Sequence, residues 1–254
     1  MVDTIEDISS KGHTAKTGYV LVLSDPNAQA DYLASFIMHQ AERKKEGTIT
    51  IALSGGSTPK RLYELLGSEN YAHRIPWHRI HLFFGDERMV PYTNEASNFY
   101  MVKKALLEHI TIPFRNVHPM PILEDVAQAA QLYEQELKSV YHVDRLQVGK
   151  PFFDIVLLGL GEDGHTASLF PKSPVLKEKQ KWVSWSEPVD APYKRMTLTY
   201  PIIASSRFVI FVVSGKNKAQ IFREVREGKK EYPSVAVRTE GEVHWIIDKA
   251  VSGE

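Results

Sequence analysis

The feature of this sequence that most constrains its fold is a regular alternation of short apolar segments with longer amphipathic ones. Ile49–Leu53, Ile80–Phe84 and Phe153–Leu158 have the length and composition of buried strands. Residues 25–45 instead place apolar side chains at helical spacing, behind the helix-starting pair Asp25-Pro26. Strands separated by helices pair in parallel, because a long crossover must return the chain to the same end of the sheet. The sequence therefore predicts an α/β fold with a Rossmann-like, doubly wound, mainly parallel sheet and flanking helices.

The alternation continues through the rest of the chain. Further strands are predicted at residues 19–23, 182–185, 196–200, 208–213 and 243–247, and further helices at residues 59–66, 97–110, 126–141 and 217–226. Residues 1–18 show no such periodicity and are expected to form a mobile N-terminal tail. Because neither an internal repeat nor a low-complexity linker interrupts residues 19–254, that segment is expected to form a single α/β domain.

The composition narrows the possible partners. The chain carries 31 basic and 31 acidic side chains, so its formal charge is zero, which argues against nucleic acid as a partner. It has no cysteine, which excludes disulfide scaffolds, thiolate nucleophiles and cysteine-ligated metal centres. No apolar run approaches the roughly 18 residues of a membrane span, and the acidic N-terminus is unlike a secretory signal. We expect a cytoplasmic protein, monomeric or a small homo-oligomer.

In sheets of this kind ligands bind at the carboxyl ends of the strands, and four such ends carry polar residues. The first is the loop that contains Gly55, Gly56, Ser57 and Thr58. Its glycines allow a tight turn, and the start of the following helix offers free N–H groups to an anion. The loop therefore indicates a phosphate-binding site, although an ordinary strand–turn–helix junction would look similar. It lacks the Gly-Lys-Ser/Thr of an ATP-binding loop.

The second strand end is Gly85-Asp86-Glu87-Arg88, where an apolar strand runs into three charged residues. In a ligand crevice an acid such as Asp86 can act as a base, and Arg88 can stabilise developing negative charge. A solvated loop with a local ion pair is the alternative interpretation.

The third strand end leads to Gly159-Leu-Gly-Glu-Asp-Gly-His165. Its glycines match the G-x-G-x-x-G fingerprint of nicotinamide-dependent oxidoreductases, with Glu187 placed as a ribose-binding acid. Pro171 and Pro174, however, would cut the helix that this fingerprint requires. A histidine on a glycine-rich turn, two residues after Asp163, suits a general base oriented by an acid, although an isolated histidine is often structural.

The fourth strand end is cationic. Arg195 begins a predicted strand, and Lys218 follows another strand through Ser214-Gly215. Either residue can bind a phosphate, although a single basic side chain on a surface has no such role by default.

Together and in this order, the four segments resemble the superfamily of glucosamine-6-phosphate deaminases and 6-phosphogluconolactonases. The resemblance covers residues 19–247, and its most specific part runs from Gly159 to Pro171. It implies a Rossmann-like sheet, a phosphosugar substrate, no metal and no cofactor. Deaminases have a glutamate in this motif where the present chain has Phe170, and typically a tyrosine where it has Arg88. These differences favour the lactonase branch.

The lactonase branch implies hydrolysis of 6-phospho-D-glucono-1,5-lactone to 6-phospho-D-gluconate, a step of the oxidative pentose phosphate pathway. We expect His165, oriented by Asp163, to activate water, and Arg88 to stabilise the oxyanion. Asp86 would contact sugar hydroxyls or orient Arg88. The phosphate would be bound by the loop and the two cations: Gly55, Gly56, Ser57, Thr58, Arg195 and Lys218. The alternatives are a glucosamine-6-phosphate deaminase or isomerase and a non-catalytic phosphosugar-binding protein.

Overall fold

The structure is a computed structural model that describes residues 14–188, 192–229 and 231–253. The strands in these ranges are β1 (Tyr19–Leu23), β2 (Ile49–Leu53), β3 (Ile80–Phe84), β4 (Asp86–Arg88), β5 (Val117–His118), β6 (Phe153–Leu158), β7 (Val183–Ser186), β8 (Arg195–Leu198), β9 (Ser206–Val213) and β10 (Glu242–Asp248). The α-helices are α1 (Pro26–Arg43), α2 (Ser57–Leu66), α3 (Glu69–Ala72), α4 (Asn98–Val102), α5 (Val126–Tyr141), α6 (Tyr200–Ala204), α7 (Ala219–Glu227) and α8 (Lys249–Ser252).

Seven strands form the main sheet, in the order β1-β10-β9-β6-β2-β3-β5, and all of its described pairs are parallel. Every residue of β2 and of β6 is buried, as expected where helices cover both faces of a parallel sheet. The predicted fold class is therefore confirmed. From β2 the chain winds outward through β3 to β5, and it then returns to β6 on the other side of β2. This reversal creates a crevice beyond the carboxyl ends of β2 and β6.

Helix α1 shows how local sequence signals fix an element boundary. The carboxylate of Asp25 accepts hydrogen bonds from the N–H groups of Asn27, at 2.8 Å, and Ala28, at 3.0 Å. These bonds satisfy donors that the helix itself leaves unpaired, and Pro26 occupies the position where a missing N–H costs nothing. The apolar positions Leu33 and Ile37 are buried against the sheet. The helix begins where the sequence predicts it.

A second, antiparallel sheet has the order β4-β8-β7 and differs from the prediction. The sequence places a strand at residues 196–200, but β8 ends at Leu198 and Tyr200 begins helix α6. The next residue, Pro201, favours the first turn of a helix and lacks the N–H that a strand needs. Leu198 N–H donates to Gly85 O at 2.8 Å, which links the small sheet to the end of β3.

The helix predicted at residues 97–110 changes its winding. Helix α4 is followed by a π-helical turn at Lys103–Leu107, in which Glu108 N–H bonds to Lys103 O at 3.1 Å. The turn packs against Gly67, where a Cβ atom would lie 3.1 Å from Ala105 O. The apolar spacing still buries Leu106, so amphipathic periodicity alone does not distinguish the two windings.

Most of the predicted tail, residues 1–18, lies outside the described residues. Within its described part, Ala15 is buried and its N–H bonds to Val237 O at 3.1 Å. The division of the chain at residue 18 and the single domain at residues 19–254 stay predictions. No helix in the described ranges is long and apolar enough to cross a membrane.

Candidate active site

A cleft of about 290 Å³ opens beyond the carboxyl ends of β2, β6 and β9. Most of the residues that the sequence singles out line it: Gly55, Gly56, Ser57, Thr58, Asp86, Arg88, His165, Arg195 and Lys218. Asp163 does not line the cleft but contacts His165. The structure thus brings all four predicted segments to one cavity. The parallel sheet accounts for the loops after β2, β6 and β9, whereas Arg88 and Arg195 reach the cleft from the antiparallel sheet.

The His165–Asp163 pair has the geometry of an oriented base. Nδ1 of His165 lies 2.5 Å from Oδ1 of Asp163, which also accepts the backbone N–H of His165 at 3.1 Å. Partial burial works against ionisation of Asp163, but the hydrogen bonds from His165 outweigh it and lower the pKa of this carboxyl. An ionised acceptor holds the proton of the imidazole on Nδ1 and leaves Nε2 able to accept one.

The turn that presents this pair depends on Gly161. A Cβ atom on this residue would lie 2.0 Å from Nδ1 of His165 and 2.7 Å from Oδ1 of Asp163. Gly161 N–H also donates to the carbonyl oxygen of His165 at 2.8 Å, which closes the turn. The close approach explains why glycine is needed at this position.

The three glycines of the third motif do not begin a helix. After Gly164 the chain continues through turns to a 3₁₀ segment at Pro174–Lys177. A dinucleotide fingerprint needs a helix whose N-terminus faces the pyrophosphate, so the nicotinamide interpretation is wrong in its structural requirement. Within the described residues 164–171 no helix forms for the prolines to end, and Pro174 itself begins the 3₁₀ segment.

The first glycine loop leads directly into helix α2, which begins at Ser57, two residues before the predicted start. Gly56 has φ +105°, a conformation that side chains rarely adopt. The buried Tyr63 hydroxyl accepts the N–H of Ser54 at 2.9 Å and donates to its carbonyl at 2.8 Å. This clamp fixes the loop at the floor of the cleft.

Asp86 is buried and hydrogen-bonded on both oxygens. Ser168 Oγ donates to Oδ2 at 2.6 Å, and Asn98 Nδ2 lies 3.3 Å from Oδ1. Within the described residues Asp86 forms no ion pair with Arg88, so the suggested role in orienting that arginine has no contact to support it. Asn98 also packs on Gly55, where a Cβ atom would meet its Oδ1 at 2.2 Å.

Sequence reasoning missed Ser168, Asn98 and Glu87 as parts of this site. Glu87 is buried, and its carboxylate accepts the N–H groups of Arg88, Asn98 and Phe99 at 2.7–2.8 Å. Burial raises the pKa of Glu87, although these hydrogen bonds oppose the shift. The position of Glu87 next to a helix-starting Ser97-Asn98 could not be read from the sequence, because ten residues separate them.

Two arginines form the cationic wall of the cleft. Arg88 in β4 lies directly opposite Arg195 in β8. Nη1 of Arg88 donates to Ala96 O at 2.6 Å, but Nε of each arginine is buried with no hydrogen-bond partner among the described residues. Burial and the charge of Arg88 lower the pKa of Arg195. Like charges held this close, with free donors, are suited to an anionic ligand.

Lys218 forms part of another wall. It ends the 3₁₀ turn Lys216–Lys218 that follows Gly215, whose N–H is bound by the Asp248 carboxylate at 3.0 Å. Nζ of Lys218 lies 3.9 Å from Oε1 of Glu162. Lys194, the residue before Arg195, lies over the Trp185 ring instead of lining the cleft.

No group of three or more histidine, cysteine or acidic side chains within the described ranges is placed to hold a metal ion. Away from the cleft, His81, His118 and Glu136 form a hydrogen-bonded chain beside β3 and β5, with contacts of 2.9 Å and 2.7 Å.

Comparisons with known proteins bear on this geometry. The family model of glucosamine-6-phosphate isomerases and 6-phosphogluconolactonases matches residues 24–245. A 6-phosphogluconolactonase of Synechocystis is 40% identical over 209 residues, which cover 81% of this chain and 84% of the relative.

Solved structures agree with this match. The crystal structure of 6-phosphogluconolactonase from Thermotoga maritima has a TM-score of 0.77 at 30% identity, over 91% of this chain and 99% of that one. A monomeric glucosamine-6-phosphate deaminase has a TM-score of 0.75 at 20% identity, over 92% and 99% of the two chains, which shows a shared fold. The chain belongs to the glucosamine-6-phosphate isomerase/6-phosphogluconolactonase family.

Proposed function

We propose that this protein is a lactone hydrolase that converts 6-phospho-D-glucono-1,5-lactone to 6-phospho-D-gluconate, a step of the oxidative pentose phosphate pathway. The observation that carries the proposal is the His165–Asp163 pair, 2.5 Å apart, at a cleft that also exposes two arginines and a lysine. A base and several cations suit a substrate with a phosphate at one end and an electrophilic carbonyl at the other. Relatives named 6-phosphogluconolactonase, up to 40% identical, support the same reaction.

The first step is attack of water on the lactone carbonyl. Nε2 of His165 takes one proton from the water as its oxygen bonds to C1, while Asp163 stabilises the imidazolium that forms. The carbonyl π electrons move to the oxygen and give a tetrahedral oxyanion. We assign the stabilisation of this charge to Arg88 and to backbone N–H groups of the glycine loops, which line the cleft.

The second step breaks the ring. The bond between C1 and the ring oxygen cleaves, and the imidazolium returns its proton to that oxygen. The product is a carboxylic acid that ionises at neutral pH and releases one proton to solvent. A single imidazole therefore serves both steps, and proton release measures turnover.

The phosphate anchors the substrate. We assign it to Arg195, Lys218 and the loop from Gly55 to Thr58, whose helix N-terminus favours an anion. Asp86, held by Ser168 and Asn98, is assigned to a sugar hydroxyl. Such remote contacts bind ground state and transition state alike and place the carbonyl beside the base.

The environment of His165 favours hydrolysis over deamination. Deaminases carry a glutamate of their catalytic apparatus at the position of Phe170. Here the Phe170 ring packs against His165, with the ring centroids 4.5 Å apart. Because the phenyl ring of Phe170 has no titratable group, it cannot exchange protons with the substrate. We therefore assign the catalytic proton transfers to His165.

The test is proton release after addition of freshly generated lactone at neutral pH, with spontaneous hydrolysis subtracted. We expect His165→Ala to lower kcat by roughly 10²–10⁴-fold, the contribution of a positioned general base. His73→Ala, which removes an exposed histidine outside the cleft, serves as the matched control.

Release by the wild type no faster than the blank would reject the proposed activity, and glucosamine-6-phosphate would be the next substrate. Activity of the His165 variant within a few-fold of wild type would reject the base. A protein that binds the lactone but leaves it unchanged would be a phosphosugar-binding protein.

A further inference from the structure

Glu162 is a charged residue of the third motif to which the mechanism gives no role. It lies between Gly161 and Asp163, but its side chain reaches across to the turn after β9. There Oε1 accepts a hydrogen bond from Asn217 Nδ2 at 2.6 Å and lies 3.9 Å from Nζ of Lys218. Glu162 thus connects the turn of the base with the turn of the phosphate-binding lysine.

The two charges face different surroundings. The side chain of Lys218 is 22% exposed and lines the cleft, whereas that of Glu162 is 68% exposed and lies outside it. Within the described residues Glu162 is the only carboxylate in ion-pair distance of Lys218. Asn217 holds this carboxylate in place, so the contact does not depend on a long lysine finding a freely moving partner.

We propose that the Glu162 carboxylate competes with the substrate phosphate for the Lys218 ammonium and thereby sets the affinity of the cleft for phosphorylated ligands. The inference rests on the proposed function in taking phosphate as the anion that Lys218 binds. A phosphate oxygen that binds Nζ must share the charge of the ammonium with Oε1 of Glu162, 3.9 Å away, and this sharing weakens binding. Substrate and product both carry the phosphate, so the competition lowers the affinity for both.

The competition affects both substrate binding and product release. Removing the competing charge strengthens binding equally in the ground state and the transition state, so KM falls and the chemical step is unchanged. The product is held more tightly by the same factor. A residue beside the catalytic pair thus tunes binding without touching the reacting atoms.

The decisive variant is Glu162→Gln. Glutamine has the same length and keeps an oxygen that can accept the Asn217 hydrogen bond, so the substitution removes only the charge. We expect the dissociation constant of inorganic phosphate, measured by titration calorimetry, and the KM for the lactone each to fall by about 2- to 5-fold, the range of an exposed ion pair. Glu46→Gln makes an equal charge change in the loop before β2, at the amino end of this strand and away from the cleft. It should leave both values unchanged.

A double-mutant cycle with Lys218→Met separates competition from general repulsion. If Glu162 acts through Lys218, Glu162→Gln has little effect on phosphate binding once the lysine is gone. Persistence of the full effect in the Lys218→Met background would overturn the proposal. So would unchanged or weaker phosphate binding by Glu162→Gln alone.

Phosphate binding does not require turnover, so this test and the test of the proposed function can fail separately. A wild-type protein without lactonase activity whose Glu162→Gln variant still binds phosphate more tightly would leave the competition standing. A working lactonase whose variant binds phosphate no more tightly would remove the competition alone.

Discussion

At the scale of single residues, the proposed chemistry depends on the charge of Asp163. This carboxyl has a lowered pKa, so it is ionised throughout the range in which an ordinary histidine titrates. Its negative charge orients the imidazole of His165 through the 2.5 Å contact and stabilises the imidazolium that forms when water attacks the lactone. Both effects assist the proposed base.

Asp163→Asn should remove both effects. We expect kcat to fall by about 10²-fold, because an amide can present its N–H₂ to Nδ1 and favour the wrong tautomer. Stopped-flow or pH-stat rates with the lactone at neutral pH measure this fall. Asp31→Asn, an exposed charge on α1, is the control.

A normal kcat in the Asn variant would show that the orientation comes from the backbone of the turn alone.

At the scale of elements, the turn that carries His165 is supported by a segment that lies outside every recognised motif. The Tyr232 ring packs on Gly164, where a Cβ atom would lie 2.5 Å from it. Ser234 N–H donates to the Gly164 carbonyl at 3.1 Å. The Tyr232 hydroxyl is hydrogen-bonded to Glu224 on α7, and Tyr200 OH donates to Pro233 O at 2.7 Å. The turn therefore packs against residues 232–234, a segment that is itself held by hydrogen bonds to Glu224 and Tyr200.

Tyr232→Ala should lower kcat by about 10-fold with little change in KM, because loss of the ring frees the turn that positions His165 while the phosphate site is untouched. Tyr232→Phe keeps the ring and loses only the hydroxyl, so it should stay within about 2- to 3-fold of wild type. Steady-state kinetics with the lactone checks both. Urea denaturation establishes that each variant is folded at the assay temperature.

A larger effect of Tyr232→Phe than of Tyr232→Ala, or a change confined to KM, would contradict this account. The first result would mean that the hydroxyl of Tyr232 matters more than the packing of its ring. The second would mean that the ring does not position the turn that carries His165.

The elements that could be predicted from the sequence are those whose signal is local. The buried strands β2 and β6 and helix α5 have their predicted bounds, because burial on two faces or an amphipathic period leaves a direct pattern. The antiparallel pairing of β4 with β8 could not be predicted. It depends on contacts between distant segments, such as Leu198 with Gly85, and a three-residue charged strand has no periodicity.

The same distinction applies to the site. The sequence indicated His165, Asp163 and the glycine loop because they lie in motifs with several distinctive residues in a row. The structure places them at one cleft. Asn98 lies outside every motif, so nothing in the sequence marked it. Glu87 stands within the second motif, but its contacts with the N–H groups of Asn98 and Phe99 join segments that are distant in sequence, and the motif does not show them.

At the scale of the whole molecule, the main sheet carries the proposed active site at the carboxyl ends of its strands and a buried ion pair at their amino ends. Asp154 lies near the start of β6, away from the cleft, and is buried. Its carboxylate forms an ion pair with Lys44 at 2.8 Å and accepts the Thr50 N–H at 2.9 Å, which ties α1, β2 and β6 together.

Asp154→Ala should lower the free energy of unfolding by about 2–4 kcal/mol, because it leaves a partly buried ammonium and a buried N–H without their acceptor. Asp154→Asn keeps an oxygen for Thr50 and should cost less. Urea denaturation gives both values. The kcat and KM of each folded variant should equal those of wild type. A change in either would show that the amino ends of the strands influence the cleft at their carboxyl ends.

The strand order also has a consequence for how the chain matures. β1 is the first described strand, yet among the described strands it pairs only with β10, the last of them, which lies between β1 and β9. During synthesis β1 therefore leaves the ribosome long before anything it can pair with exists, and β9 waits with one side open. The nascent chain holds two unpaired edges until residues 242–248 slot between them. The main sheet therefore stays divided between β1 and β9 until this last described strand has been synthesised.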